Sequence, residues 1–349
     1  MKKIIEIEHR MDDYVCMWNG VEDMYIRDVG EDLPPKFFFT LSSFGSFCYM
    51  KTPKAELKRM VALGDGRTRK MYEFLAPIVG FEYKICEFKT FEKALAKIKT
   101  EIDSGYPCMI GALDMFYLPH FEKLYHIEHI PFHYELVIGY DDEAQILYFN
   151  DCGRTETQKI SYEELRLAFD CSYPGLSKPN TVWVIRMHTS KKKYEIAKEA
   201  LAKKKELFLN PPVGFIGYRG FEKYINDLPN WKNELSQEDY NKILYNMVQF
   251  FGTVPTIPNA LRGIEEPDTM EFGGGFDKAA VVLSNLGEEY NNTSMIKAAM
   301  IFSETATVIT QIKEVIVDYL SNKCDRTDEL PTLFTQVADA MKLGFEVLE

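Results

Sequence analysis

Residues 133–151, HYELVIGYDDEAQILYFND, are the stretch of this chain that says most about its fold. Two runs of branched and aromatic residues, 134–140 and 146–150, flank a short acidic turn, and this pattern predicts a β-hairpin. His133 precedes the first run and Asp151 follows the second. Because hairpin strands run antiparallel, we expect both side chains at the same edge of the sheet.

The regions around this hairpin predict helices first and further strands afterwards. Met17, Val21 and Met24 lie on one stripe of a helix that begins near Cys16. Further helices are expected over 67–79 and 91–103, and strands over 83–88, 107–113 and 182–187. Helices followed by mostly antiparallel strands are typical of an α+β domain rather than of alternating βαβ units.

The composition changes after Met187, where a lysine run leads into a long helical region. Helices are expected up to residue 209 and then over 276–290, 293–320 and 332–345. We therefore predict two domains, an α+β domain over 1–188 and a mainly helical domain over 189–349.

Composition and charge exclude several classes of protein. The 349 residues are 46% apolar and 27% charged, as in an ordinary soluble globular protein. The net charge of −12 would repel a phosphate backbone, so no nucleic-acid partner is expected. No apolar run approaches the roughly 20 residues of a bilayer span, and the first residues lack the apolar region of a signal peptide. We predict a cytoplasmic protein with no membrane partner.

Seven cysteines, an odd and widely spaced set without a CxxC pair, argue against a disulfide framework or a zinc ribbon. Cys16 differs from the others because it begins a predicted helix, where the dipole and free N–H groups stabilise a thiolate and an oxyanion. Asp12 and Asp13 just upstream are candidate helix caps whose negative charge opposes that effect. The alternative is an inert buried thiol.

His133 and Asp151 can serve as a general base and the carboxylate that orients it. Taken alone, the pair also fits a surface histidine and a turn aspartate. However, a cysteine at a helix start, then helices, then the histidine strand and the aspartate matches the order in papain-like cysteine enzymes.

Several segments together carry a resemblance to a known family. They are 114–119 (DMFYLP), Tyr125-His126, 133–141, Asp151, 160–165 (ISYEEL) and the Gly273–Gly275 turn before the long helices. This set resembles the butirosin biosynthesis protein H family. Its amino-terminal domain is similar to bacteriocin-processing and papain-like cysteine peptidases, and a helical domain often follows it.

The resemblance implies a nucleophile at Cys16, a base at His133 and an orienting residue at Asp151. It implies an aminoacyl transfer from an acyl carrier protein to an amine, through a thioester on the cysteine and without a cofactor. The exposed sides of the carboxyl-terminal helices could serve carrier docking or a homodimer, and both uses stay open here.

The loop before the histidine strand is rich in aromatic residues and can wall an acyl pocket. The substrate-binding residues expected there are Asp114, Phe116, Tyr117 and Tyr125. Ordinary core packing is the alternative.

A cluster of imidazoles offers a competing interpretation, a Zn²⁺ site. The cluster comprises His120, His126, His129 and His133, with Glu128 nearby. The spacing is neither HExxH nor that of a finger, and Pro131 breaks any helix that would align the ligands. We therefore expect no metal.

Three functions are consistent with the sequence. The leading hypothesis is thiol-dependent acyl transfer to an amine. A cysteine peptidase or amidase would use the same three residues with water as the acceptor. A catalytically silent binding module is the third.

Overall fold

A computed structural model describes residues 1–172, 178–252, 256–268 and 272–348. The chain forms two compact units. We call residues 1–38 with 67–193 the α+β unit, and residues 39–66 with 194–349 the helical unit. The predicted α+β class is confirmed, whereas the assignment of 1–188 and 189–349 as separate domains stays a prediction.

The elements are numbered in chain order. The strands are β1 (Lys2–Ile4), β2 (Phe47–Lys51), β3 (Arg59–Leu63), β4 (Phe81–Glu87), β5 (Cys108–Leu113), β6 (His133–Asp141), β7 (Ile146–Asn150), β8 (Gln158–Ser161) and β9 (Thr181–Met187). The helices are α1 (Cys16–Val29), α2 (Phe37–Ser43), α3 (Thr68–Val79), α4 (Phe91–Asp103), α5 (Tyr162–Phe169), α6 (Lys193–Leu209), α7 (Gly217–Asp227), α8 (Trp231–Glu234), α9 (Gln237–Gln249), α10 (Phe276–Glu289), α11 (Thr293–Leu320) and α12 (Leu330–Val347). Within the described ranges, no helix has the length and hydrophobicity that crossing a bilayer requires.

One antiparallel sheet organises the α+β unit. Its strands follow the order β4-β9-β5-β6-β7-β8, and β1 also pairs with β6. The predicted hairpin is confirmed, since Leu136 lies opposite Asn150 and Asp141 lies opposite Ile146. The hairpin therefore places His133 and Asp151 at one edge of the sheet.

Helices cover both faces of this sheet. On one face Ile98 of α4 and Leu165 of α5 belong to a core that includes Val137 of β6. Ser161 caps α5 by accepting the N–H of Glu164 at 3.1 Å. With both faces covered, every residue of β5 is buried.

Helix α1 lies directly on the other face because Gly20 allows a close approach. A Cβ at Gly20 would meet the Met109 sulfur at 2.4 Å and the Leu136 Cβ at 2.7 Å. Trp18 of the same helix contacts Tyr72 of α3, with ring centroids 4.4 Å apart. This packing holds the start of α1 against the sheet strand that begins at His133.

The helical unit combines the β2–β3 hairpin with α7 and the long helices α10, α11 and α12. Phe44, Phe276, Phe302 and Phe345 form one aromatic cluster within it. The sequence did not predict this hairpin or its place in the second unit. Its two strands have five residues each, too few for a clear alternation.

Candidate active site

Cys16 is the first residue of α1 and is 9% exposed. As the first helical residue it directs its backbone N–H out of the helix start, where an oxyanion can accept it. Tyr14, two residues earlier, has a left-handed φ of 68° that turns the chain into the helix. The predicted position of the cysteine is therefore confirmed.

Asp12 and Asp13 do not cap α1, which corrects one expectation. The residue in the cap position is Val15, whose side chain has no atom that accepts a hydrogen bond. The buried Asp12 carboxylate instead binds Lys36, accepting from its backbone N–H and, at 2.8 Å, from its ammonium group. The charge of Asp12 is thus neutralised by a partner far along the chain.

His133 and Asp151 form a buried pair next to Cys16. The His133 Nε2 lies 2.5 Å from the Asp151 Oδ2, and the two residues are 6% and 0% exposed. The His133 side chain also hydrogen-bonds Cys16, and Nδ1 is the ring nitrogen that Asp151 leaves for it. The three predicted catalytic residues therefore meet in the order that nucleophilic catalysis requires.

Electrostatics favour the charged form of this pair. Burial alone would lower the pKa of His133, but Asp151 and Cys16 outweigh it and hold that pKa well above its usual range. Burial would raise the pKa of Asp151, but His133 and His120 outweigh it and hold that pKa well below its usual range. An imidazolium facing Cys16 is therefore the favoured state at neutral pH.

Contacts that could not be predicted from the sequence hold the backbone around Asp151 in place. The second carboxylate oxygen of Asp151 accepts the N–H of Gly153 at 2.9 Å. His9 contacts the Asp151 carbonyl oxygen at 2.9 Å and, through its other ring nitrogen, Asp23 of α1 at 2.7 Å. This histidine joins the helix of the nucleophile to the backbone of the orienting residue.

His120 and Glu135 also lie against the pair. The His120 Nε2 is 3.3 Å from the Glu135 Oε1, without hydrogen-bond geometry, and 3.6 Å from the Asp151 Oδ2, a long contact that helps to hold the pKa of Asp151 low. Burial raises the pKa of Glu135 well above its usual range and lowers that of His120, and both shifts favour the uncharged forms. Glu135 was missed, although a residue two positions after His133 in a strand shares its face.

The histidine cluster considered from the sequence is only partly assembled. His120 and His133 meet, whereas His129 is exposed, contacts Asp114 at 2.6 Å and stacks on Phe116. His126 stacks on Tyr125, with ring centroids 4.1 Å apart. The described groups with metal-ligand spacing are instead His120, His133, Glu135 and Asp151, whose donor atoms lie within 4.8 Å of one another.

The four expected substrate-binding residues lie in the loop between β5 and β6. Asp114 organises this loop by accepting the N–H groups of Phe116 at 3.1 Å and Ile130 at 3.2 Å. Tyr117 packs edge-on against Phe116, and the Tyr125 hydroxyl donates to Glu164 at 2.7 Å. These side chains are partly exposed, and their contact with a substrate stays a prediction.

The other buried cysteines have environments that suit inert thiols. Burial raises the pKa of Cys108 and Cys152, and raises that of Cys171 to about 12. Cys324 is exposed. Cys16 is thus distinguished by its partner His133 rather than by exposure.

Two family models match the sequence. The amino-terminal domain of butirosin biosynthesis protein H matches residues 15–152, which contain Cys16, His133 and Asp151. A domain of unknown function, DUF4872, matches residues 163–254. No curated protein matches the chain. The two matches follow one another along the sequence, and residues 15–152 are an amino-terminal domain of the butirosin biosynthesis protein H family.

Proposed function

We propose that this protein moves an acyl or aminoacyl group from a carrier thioester to an amine through an acyl-Cys16 intermediate. The observation that carries the proposal is the buried chain of contacts from Cys16 to His133 and on to Asp151 at 2.5 Å. Nucleophile, base and orienting carboxylate in this order support a papain-like arrangement within the α+β unit.

The proposed reaction conserves its atoms and protons with the groups present at the site. His133 takes the thiol proton, and the Cys16 sulfur attacks the thioester carbonyl while the helix-start N–H binds the oxyanion. The donor C–S bond then breaks and the leaving thiolate receives the proton from His133. An amine attacks the new thioester, gives its proton to His133, and Cys16 leaves as the thiolate.

The carrier and the amine acceptor are part of the proposal. The family is named for a biosynthetic protein, which supports transfer to an acceptor over digestion of peptides. Asp114, Phe116, Tyr117 and Tyr125 are proposed to wall the acyl site, since their loop also supplies His120 beside the triad. A cytoplasmic location goes with this reaction, because cytoplasmic reducing conditions keep a thiol nucleophile reduced.

Labelling with iodoacetamide, mapped by peptide mass spectrometry, tests whether the nucleophile is activated. At pH 6 we expect Cys16 to react faster than the exposed Cys324, although Cys16 is buried. In His133→Ala, Cys16 should no longer react faster than Cys324. Cys324→Ser is the control for assigning the labelled peptides to their cysteines. Slow labelling of Cys16 that does not respond to the loss of His133 would favour a silent binding module.

Intact-mass spectrometry with an aminoacyl-pantetheine thioester separates transfer from hydrolysis. We expect the protein to gain the mass of the acyl group on Cys16 and to keep it until an amine, such as an aminoglycoside, is added. Rapid loss of the acyl group to water alone would favour the amidase alternative. Absence of any adduct, with Cys16 reactive toward iodoacetamide, would reject thioester donors.

A further inference from the structure

Two polar side chains beside the triad are buried without a hydrogen-bond partner among the described residues. Both carboxylate oxygens of Glu135 and both ring nitrogens of His120 are in this state. The side chain of Glu135 is 0% exposed and that of His120 is 5% exposed. A buried polar group without a partner destabilises the fold, so the retention of these two side chains suggests a ligand that satisfies them.

Both groups lie close to the catalytic pair. The donor atoms of His120, Glu135, Asp151 and His133 all lie within 4.8 Å of one another. A tetrahedral Zn²⁺ bound at about 2.0–2.1 Å keeps its ligand atoms about 3.3 Å apart. The His120 Nε2 lies 3.3 Å from Glu135 and 3.6 Å from Asp151, close to that spacing.

The edge between His133 and Asp151 is shorter than a zinc site requires. The His133 Nε2 and the Asp151 Oδ2 are hydrogen-bonded at 2.5 Å, so an ion between them must open this contact by about 0.8 Å. Two imidazole nitrogens and two carboxylates form a donor set that suits zinc better than magnesium or calcium.

We propose that His120, Glu135, Asp151 and His133 bind Zn²⁺ or a similar divalent transition-metal ion, which reversibly blocks the active site. The ion takes the place of the proton on the His133 Nε2 and of the carboxyl proton of Glu135, and both protons leave to solvent. With Nε2 occupied, His133 keeps its remaining proton on Nδ1, so it cannot accept the proton of Cys16. The inhibition rests on the proposed acyl transfer, whereas the binding does not.

Calorimetric titration of the chelator-treated protein with ZnCl₂ measures binding directly, without any activity assay. We expect one equivalent of Zn²⁺ to bind, and Glu135→Gln and His120→Asn each to weaken it by at least about tenfold. His188→Asn is the matched control, because His188 is exposed in the same unit. Thermal unfolding of each variant shows that it is folded, and Glu135→Gln keeps the shape of the side chain.

A thiolate site is the main competing explanation, since Zn²⁺ can bind the Cys16–His133 pair alone. Co²⁺ titration followed by absorption separates the two, because sulfur ligation adds a charge-transfer band that nitrogen and oxygen ligands lack. We expect tetrahedral d–d bands without this band, and full binding by Cys16→Ala.

Three results would overturn the site. They are no binding by the unmodified protein, binding abolished by Cys16→Ala, and binding indifferent to both His120→Asn and Glu135→Gln. If Zn²⁺ binds as expected but no acyl adduct ever forms on Cys16, the metal site stands and the proposed function fails.

Discussion

Asp151 in the α+β unit and Asp227 in the helical unit are both buried aspartates, and they differ in how completely they are paired. Asp227 accepts hydrogen bonds from the Trp231 Nε1 at 3.0 Å and the Arg59 Nε at 3.1 Å. Tyr49 and Lys51 also bind its carboxylate. All four of these partners are donors, and Arg59 also binds a second carboxylate, that of Glu234, at 2.6 Å.

Asp151 has fewer partners, and its main one has a further task. It binds His133 and the backbone of Gly153, and His133 contacts a thiol on its other side. Glu135 and His120 next to it find no hydrogen-bond partner among the described residues. A fully paired buried charge stabilises a fold, whereas an incompletely paired one that includes a proton carrier is typical of a reactive site.

Removal of the nucleophile should give the largest effect. In Cys16→Ala we expect acyl transfer to fall by roughly 10⁵-fold or more, because no acyl-enzyme can form. Stability to urea should change little, since one small sulfur at a helix start is lost. The rate of amine acylation and a urea titration measure the two quantities, and transfer that survives in this variant would contradict the role of Cys16.

Asp151→Asn should lower acyl transfer by roughly 10³–10⁴-fold, because His133 loses the carboxylate that fixes its ring and favours its imidazolium. The adduct with an aminoacyl-pantetheine thioester should still form, but slowly. Its rate of formation by mass spectrometry is the measurement. An unchanged rate would mean that Asp151 has the same purely structural role as Asp227.

Asp227→Ala should lower the stability of the protein rather than its rate of acyl transfer. Loss of its carboxylate leaves Tyr49 and Trp231 without this acceptor and leaves Arg59 with Glu234 as its remaining carboxylate, and we expect about 3 kcal/mol less free energy of unfolding. Acyl transfer per folded molecule should stay at its original level, because Asp227 belongs to the helical unit and the triad to the α+β unit. Urea unfolding and a rate measurement in buffer check the two expectations. Unchanged stability of Asp227→Ala would show that the contacts of Asp227 do not stabilise the fold.

The buried Lys204 of α6 offers a smaller and pH-dependent test in the helical unit. Burial lowers its pKa to about 8, and its ammonium group donates to the Ser42 carbonyl at 2.6 Å. Between pH 8 and pH 10 the unfolded chain binds more protons at this lysine than the folded one, so stability rises with pH. The free energy of unfolding of the parent protein relative to Lys204→Met should therefore increase by about 2 kcal/mol over this interval.

The measurement for Lys204 is urea unfolding at several pH values between 8 and 10. Lys203→Met, an exposed neighbour on α6, controls for the loss of a lysine charge from this helix. A difference between the parent and Lys204→Met that does not change with pH would show that Lys204 titrates alike in the folded and unfolded chains.

Much of the α+β unit could be predicted because its signals are local. The stripe after Cys16 predicted α1, and the runs around the acidic turn predicted β6 and β7. Hairpin geometry alone then placed His133 and Asp151 at one edge. The resemblance to a family implied that Cys16 is their partner. The contact between Cys16 and His133 agrees with this implication.

The sequence by itself determined the longer helices, the β6–β7 hairpin and the three candidate catalytic residues, since periodicity and chain order act over short distances. Only the tertiary structure brought Glu135 and His120 to Asp151, engaged Asp12 with Lys36, and placed 39–66 in the helical unit. These pairings join residues distant along the chain. They depend on which buried polar groups find partners after the helices and strands have packed.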